Sequence, residues 1–462
     1  MQRVFAILKL TWKAAFRYRL FWVLVLLLLG AVVALPLVIK DDGTARGFTQ
    51  ILLTYTLGTI TALLGFATLW LSCGILARDI EEAQMQMVVT KPIARWQIWI
   101  GKWLGIISLN AVLLLIAGSG VYFLMQWRAQ KLPEGEQAIL RSEIFIARGS
   151  LKEPPEDIQA LVDEQIRQVI KAAPLSALDQ QLARKQIEER EKAEQQIVAP
   201  NYARRWVIDF GLRKNSLRNE PLILRTKFQS PEARPFGDPP TYRGVWLVGP
   251  PEAAQLYRID LPSVAAQTFH ELPIPPSLLD ADGKLTVEFR NYNNIALLFP
   301  LDEGLEVLYR EGGFGLNFIR GLGIILCWLS LLAAVGLCAA SFLSFPVAAF
   351  FSIAVLILGL SSGTLTSVIE RGSMFDGGHE GEAAAPRAID AVAVPVFHAA
   401  LKLVNLVQGF SPITSLSSGR SITWGQLGLA FAQIVLLLGG IFAAIGIYTF
   451  NRREIATAQV NG

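Results

Sequence analysis

Long apolar runs constrain this chain more than any other feature of its sequence. Several runs reach about 20 apolar residues, the length that a helix needs to cross the hydrocarbon core of a bilayer. They explain the 52% hydrophobic share of the 462 residues. Backbone groups exposed to lipid must find their partners within the segment, so each run must be helical. The sequence therefore predicts an α-helical polytopic membrane protein embedded in the lipid bilayer.

Six spans are predicted, with both termini in the cytoplasm. The first 20 residues hold five cations and no acid, and cytoplasmic segments carry an excess of lysine and arginine. Arg452 and Arg453 follow the last span and place the carboxyl terminus on the same side. The predicted spans are Phe21–Ile39, Phe48–Leu76, Trp96–Met125, Gly315–Ser341, Val347–Thr366 and Leu427–Phe450.

Residues 1–20 combine those cations with an apolar stripe. Phe5, Leu8, Trp12 and Phe16 recur at helical spacing, and cations flank them. This pattern is typical of an amphipathic helix that lies in the membrane interface. Two interpretations remain equally open, a connecting helix beside a cytoplasmic partner and a plain membrane anchor.

One further apolar stretch, residues 388–408, is not counted as a span. It contains Lys402 and Asn405, and a seventh span would place Arg452 and Arg453 outside, against the positive-inside rule. We therefore interpret it as a re-entrant or interfacial segment.

Between the third and fourth spans lies an insert, predicted to be extracytoplasmic and of the α+β class. Its first part is rich in Glu, Gln, Lys and Ala, and its periodicity predicts a helical hairpin broken at Pro174. From Arg204 onwards, short alternating segments separated by turn residues predict a β-sandwich. The predicted strands are Trp206–Phe210, Leu222–Phe228, Tyr242–Val248, Leu256–Leu261, Leu285–Asn291 and Leu305–Tyr309.

The predicted domain boundaries follow from these patterns. They are a cytoplasmic amphipathic helix (1–20), spans one to three (21–125), an extracytoplasmic helical segment (126–203), an extracytoplasmic β-sandwich domain (204–313), spans four and five (314–366), an outer loop with the re-entrant or interfacial segment (367–424), and span six with a cytoplasmic tail (425–462).

A short charged stretch, residues 77–105, separates the second span from the third. Its first part, 77–91, is predicted to be a helix that begins with three carboxylates and continues with an apolar surface including Met85. Anions in a first turn are favoured by the helix dipole. The three carboxylates are those of Asp79, Glu81 and Glu82.

A break follows this helix. Pro92 cannot continue a helix but suits the first position of a new one, with Thr90 or Lys91 at the cap. Arg95 and Lys102 then lie at the start of the third span, where a cytoplasmic end favours cations.

This stretch resembles the permease subunits of the ABC type-2 exporters, which carry an acidic helix, a short Ser/Thr-x-Pro-x-Ser-Arg turn and then Gly-Lys. The chain departs from that pattern at Ala83-Gln84, where the family usually has Gly-Thr, and at Ala94, where it usually has Ser. The resemblance covers the six-span core and not the insert. The matching residues are Ile80-Glu81-Glu82, Thr90-Lys91-Pro92-Ile93-Ala94-Arg95 and Gly101-Lys102.

The resemblance implies a coupling helix that docks on a separate ABC ATPase subunit on the cytoplasmic side. It also implies a second permease copy or a related permease, with ATP and magnesium bound by the ATPase rather than by this chain. The residues that would couple to the ATPase are Asp79, Glu81, Glu82, Met85, Lys91, Pro92, Arg95 and Lys102.

Other chemistry is not indicated by the sequence. No complete phosphate-binding loop occurs, since Gly101-Lys102-Trp103 and Gly283-Lys284-Leu285 lack the remaining residues. Cys73, Cys327 and Cys338 fall in apolar runs without metal-ligand spacing and are expected to be core or lipid-facing residues. The net charge of +4 comes without a dense basic patch, so no nucleic-acid partner is expected. The chain is predicted not to be an enzyme and to hold no cofactor or metal.

The expected function is therefore that of a permease subunit of an ATP-driven exporter in the bacterial cytoplasmic (inner) membrane. Its periplasmic insert would receive the substrate or contact an envelope partner. The substrate stays open among a lipid, a glycan, a peptide, an antibiotic and a copper-related sulfur species. Two alternatives remain, an ATP-driven envelope regulator or scaffold that transports nothing, and an intramembrane or outer-surface enzyme.

Overall fold

The computed structural model describes most of the chain and divides it into two compact units. Residues 1–147 together with 312–462 form one, here called the helical unit, and residues 148–311 form the other, here called the insert. The described residues are 2–17, 19–38, 44–81, 93–140, 145–154, 158–172, 177–211, 217, 220–231, 240–250, 256–280, 282–301, 303–360, 401–402, 404, 406–407 and 409–453.

The helices are numbered in chain order. They are α1 (Gln2–Arg17), α2 (Arg19–Val38), α3 (Ala45–Glu81), α4 (Arg95–Ala129), α5 (Glu134–Ile139), α6 (Ile158–Ala172), α7 (Ala177–Gln196), α8 (Phe314–Phe342), α9 (Phe345–Leu360), α10 (Pro412–Ser417), α11 (Trp424–Ala430) and α12 (Gly440–Arg452), with a π-helix, Phe431–Gly439, between the last two.

Five helical segments among the described residues are long and apolar enough to cross a membrane. These segments fit a multi-pass membrane protein, as the apolar runs predict. The predicted fifth span, 347–366, coincides with the shorter apolar helix α9, and its residues beyond Leu360 lie outside the described ones. The five segments are Phe21–Val38, Gly47–Glu81, Arg95–Ala129, Phe314–Phe342 and Trp424–Arg452.

Helix α8 lies at the centre of the helical unit. Its most apolar stretch is 72% buried, whereas that of α2 is 22% buried. Small residues make this burial possible, because close approach of helices requires that no bulky side chain intervenes. A Cβ atom on Gly336 would lie only 1.9 Å from the Ser72 hydroxyl oxygen of α3. Helices α3, α4, α9 and α12 all pack around α8.

Helix α1 packs along the first part of α4. Its buried face consists of Ile7, Thr11 and Ala15. Gly101 and Gly105 provide the space on α4, since a Cβ on either would lie within 2.8 Å of an α1 side chain.

The aromatic stripe predicted for α1 has a different role. Phe5 and Phe16 are 57% and 42% exposed. Trp12, which also belongs to this stripe, donates from its indole nitrogen to the Ser108 hydroxyl of α4 at 2.9 Å. The α1–α4 contact therefore includes Trp12 beside the buried face of α1, whereas the exposed Phe5 and Phe16 remain available to the interface that the sequence predicts for them.

The insert contains two four-stranded sheets. Their orders are β1-β10-β4-β7 and β3-β8-β5-β6, and β2 and β9 form a small additional pair. The strands are β1 (Ile146–Leu151), β2 (Ile197–Val198), β3 (Ala203–Asp209), β4 (Leu222–Thr226), β5 (Thr241–Val248), β6 (Tyr257–Ala265), β7 (His270–Ile274), β8 (Lys284–Asn291), β9 (Leu297–Leu298) and β10 (Leu305–Gly313).

Inward-facing residues of both sheets share one apolar core. Trp206, Trp246 and Phe289 come from the second sheet, and Leu224 and Val307 come from the first. Alternation along each strand places one residue in two in this core. All six predicted strands overlap observed ones.

Four observed strands, β1, β2, β7 and β9, are not among the six predicted ones. Of these, β1 and β2 lie in the segment 126–203 that is predicted to be helical. Gly149 in β1 has no side chain, and a Cβ there would lie 2.4 Å from the Tyr309 ring of β10. Helices α6 and α7 occupy the positions of the predicted hairpin and pack together, with Arg184 donating to Asp163 at 2.6 Å.

Candidate functional site

Lys102 and Asp79 join α4 to the end of α3. The Lys102 ammonium donates to Asp79 Oδ2 at 2.5 Å and to the Ile75 carbonyl oxygen at 2.9 Å. The lysine side chain is 6% exposed and that of Asp79 is 27% exposed. A buried cation needs a paired acid and hydrogen-bond acceptors, and both are supplied by the last turns of α3. The pair therefore fixes these two helices to each other.

Glu81 connects the end of α3 to the start of α9. Its Oε1 accepts a hydrogen bond from the Phe345 backbone N–H at 2.9 Å. Phe345 is the first residue of α9, so the carboxylate satisfies one of the amides that a helix leaves unpaired at its amino terminus. The Arg78 guanidinium lies 4.4 Å from the Phe345 ring centroid, and Trp70 packs against that ring edge-on at 5.3 Å.

Arg95, at the start of α4, binds the carboxyl end of a helix rather than its amino end. Its Nη1 donates to the carbonyl oxygens of Phe450, Asn451 and Arg453 at 2.8–2.9 Å. These carbonyls close the end of α12, where a cation is favoured by the helix dipole.

Arg453 continues this pattern, although the sequence did not single it out as a site residue. Its Nη1 donates to the carbonyl oxygens of Ala340 and Ser341, at 3.4 and 3.2 Å, near the end of α8. Five helices, α3, α4, α8, α9 and α12, are thus linked at one end of the helical unit. We call this end the charged end, defined by Asp79, Glu81, Arg95, Lys102 and Arg453.

One sequence expectation about this end is wrong. Asp79 and Glu81 were placed in the first turn of a separate helix, but α3 is continuous through Glu81, so both acids lie in its last turn. An anion is disfavoured there by the helix dipole. Lys102 compensates Asp79, and the amino terminus of α9 compensates Glu81. The remaining predicted site residues, Glu82, Met85, Lys91 and Pro92, lie outside the described residues, as does most of the predicted helix 77–91.

A second polar cluster lies at the opposite end of the helical unit. Asn317, fully buried in α8, donates to the Arg420 carbonyl oxygen at 2.8 Å and accepts from the Ile422 N–H at 2.7 Å. Arg320 Nη1 donates to the Ile422 carbonyl oxygen at 3.0 Å, and its guanidinium lies 4.7 Å from the Trp424 ring centroid. These contacts fasten the segment before α11 to α8. Sequence reasoning missed them, because Asn317 carries no charge or motif to distinguish it.

Among the described residues, no group of three or more His, Cys, Asp or Glu side chains could hold a metal ion. The three cysteines are buried, and Cys73 Sγ lies 3.3 Å from the Ser352 hydroxyl, within the helix packing.

Comparison with known proteins leaves the family open. No family model matches the chain, and no curated protein matches it. The resemblance to type-2 permeases stays an expectation from the sequence of residues 80–102.

Proposed function

We propose that the chain is the permease subunit of an ATP-driven exporter of the ABC type-2 kind, coupled to a separate ATPase at the charged end. The observation that carries this proposal is the linkage of five helix ends by charged side chains next to the motif-bearing stretch. A push on the residues after Glu81 would act directly on the end of α3. That end holds α9 through Glu81 and α4 through Asp79.

The linkage continues from α4 to the other helices. Arg95 holds the end of α12, and Arg453, directly after α12, holds the end of α8. Displacement of α3 would therefore reach the central helix α8 through hydrogen-bonded helix termini. A helix transmits such a displacement along its length, because its backbone hydrogen bonds make it stiff. In this proposal the protein lies in the bacterial cytoplasmic membrane, with the charged end in the cytoplasm and the insert outside.

A regulator or scaffold that transmits force without transport is the second candidate. The size of the insert favours it, since residues 148–311 form a compact unit with a core of their own. Stimulation of ATPase activity by a small-molecule substrate would support the exporter. Stimulation by an envelope protein bound to the insert would support the regulator.

The coupling role is tested by changes at Glu81 and Glu82 in the protein co-expressed with the ATPase encoded beside it. Glu81→Gln keeps an oxygen that accepts from the Phe345 N–H, and Glu82→Lys reverses the neighbouring charge. We expect the double variant to retain its detergent-extracted yield and to co-purify with about tenfold less ATPase, the effect of losing a charged interface contact of about 1.4 kcal/mol.

Glu189→Lys is the matched control, since its side chain is 65% exposed on α7 in the insert. Equal co-purification of ATPase with the double variant and with the control, at equal ATP-dependent activity, would refute the coupling role.

A further inference from the structure

We propose that a cavity at the end opposite the charged end binds an anionic lipid. The cavity lies between α8, the segment before α10, α10 itself, α11 and the π-helix, and its volume is about 600 Å³. Pockets that hold small organic ligands span roughly 300–1,000 Å³. This inference does not depend on coupling to an ATPase.

The polar part of the cavity favours an anion. Lys402 and Gln426, both exposed, contribute an ammonium and an amide, and the half-buried Gln433 contributes a second amide. No acid is present among the described lining residues. Arg320 adds positive charge nearby, since it holds the lining residue Ile422 through its carbonyl oxygen. An ammonium with amide donors beside it is the set of groups that a phosphate oxygen accepts from.

The remaining wall is apolar and suits a hydrocarbon chain. Ile324 comes from α8, Leu406 from the segment before α10, and Leu429 from α11. Leu429 is 51% exposed within a segment long and apolar enough to cross a membrane. An occupant must therefore combine an anionic group with an apolar chain, which describes an anionic lipid better than a free ion.

The backbone at the cavity gives independent support. Gln433 lies in the nine-residue π-helix Phe431–Gly439. π-helical turns are rare and occur frequently at functional sites. A polar glutamine in an apolar segment is costly unless it faces a cavity or a partner, and here it lines the cavity.

Native mass spectrometry of the full-length protein tests the inference. Dioctanoyl phosphatidylglycerol and dioctanoyl phosphatidylcholine have the same chains and differ in net charge, so they serve as probes at equal concentration, with inorganic phosphate as competitor. We expect more phosphatidylglycerol adducts than phosphatidylcholine adducts. Lys402→Gln and Gln433→Leu should each weaken phosphatidylglycerol binding about tenfold. Lys402→Arg keeps the positive charge and should bind phosphatidylglycerol as the unchanged protein does.

Lys131→Gln is the matched control. Its ammonium lies at the same end of the helical unit, 3.8 Å from the Trp127 ring centroid, and does not line the cavity. Equal binding of the two lipids, or equal loss in the Lys402 and Lys131 variants, would overturn the proposal. Displacement of the lipid by millimolar phosphate would overturn the requirement for an apolar chain. Size-exclusion profiles check that each variant is folded. If Lys402→Gln does not fold, Gln433→Leu provides the test.

Discussion

At the scale of single residues, Lys102 shows how a charge is accommodated in an apolar setting. It is almost fully buried, yet every acceptor it contacts belongs to the last turns of α3. Arg148 and Glu271 form a second buried pair, in the insert, at 2.9 Å. Arg225 and Glu306 form a third at 3.5 Å, with side-chain exposures of 9% and 0%. Such pairs contribute little beyond what apolar residues would, but each becomes costly when one partner is lost.

Loss of Glu306 is therefore expected to destabilise the insert. Glu306→Leu leaves Arg225 buried without this carboxylate, and the expected loss is about 3–5 kcal/mol of unfolding free energy. Hydrogen exchange of the β4 and β10 peptides in the full-length protein measures it as faster exchange. The control is Asp163→Leu, whose ion pair with Arg184 is about half exposed and is expected to contribute about 0–1 kcal/mol. Equal exchange rates in the two variants would contradict the prediction.

A pH dependence is expected from two surface carboxylates of the same insert. The hydrogen bond from Arg243 is the main cause that lowers the pKa of Asp260 below its ordinary 3.8. For Glu288, partial burial acts to raise the pKa, but hydrogen bonds from Arg290 and Arg205 outweigh it and bring the pKa below its ordinary 4.5.

Both carboxylates have a lower pKa in the folded protein than in the unfolded chain. The stability that their ion pairs contribute is therefore complete above the ordinary pKa values and is lost as the pH falls through the lowered pKa values. Denaturant midpoints of the insert should thus be steady from pH 7 to about 5 and fall below about pH 4. Arg243→Gln should reduce that fall. A midpoint that rises on acidification would contradict it.

At the scale of elements, small residues decide which helices approach closely. Gly101 and Gly105 of α4 leave space for α1, and Gly336 of α8 leaves space for Ser72 of α3. Gly446 of α12 lies against Trp99 of α4. Both α1 and α12 therefore pack closely on α4, and charged side chains link the ends of α12 and α4. Close packing and charged contacts thus act together on α3, α4, α8 and α12.

Gly105→Ala is expected to weaken the docking of α1. The new Cβ would lie 2.7 Å from Thr11 Cβ, and forcing an extra methyl group into a packed interface costs about 1–3 kcal/mol. The thermal midpoint of the detergent-solubilised protein, followed by fluorescence-detected size exclusion, should fall. Gly58→Ala in α3 is the control, because nothing lies within 4 Å of its added Cβ, and alanine favours a helix by about 0.5–1 kcal/mol over glycine. A lower midpoint in the control than in Gly105→Ala would contradict this account.

At the scale of the whole molecule, two compact units come from one chain whose helical unit is interrupted by the insert. The helices that flank the insert in sequence, α4 and α8, pack against each other. The bundle is therefore closed between these two helices, although residues 148–311 separate them in the sequence.

The predicted topology places those connections on the outer side. Reporter fusions after Pro200 should report an extracytoplasmic location, and fusions after Phe450 a cytoplasmic one, because cations flank the cytoplasmic ends of the spans. Alkaline phosphatase and green fluorescent protein activities at each site measure the two outcomes. An extracytoplasmic signal after Phe450 would mean that residues 388–408 cross the membrane.

The local patterns of the sequence determined five of the helices that are long and apolar enough to span a bilayer, and six of the strands of the insert. Both depend on neighbouring residues alone, either a run of about 20 apolar ones or an alternation with period two. The same local rules predicted that Arg95 and Lys102 lie at the start of a span, although they could not identify the groups that these cations bind.

Only the tertiary structure decided those partners. Lys102 contacts Asp79, Arg95 contacts the end of α12, and Glu81 contacts α9, all across sequence separations that no periodicity encodes. The last-turn position of Asp79 was likewise mispredicted, because a helix dipole disfavours an acid there unless a distant cation compensates it. Strand β1 was missed for the same reason, since a short segment becomes a strand only when a distant one, here β10, pairs with it.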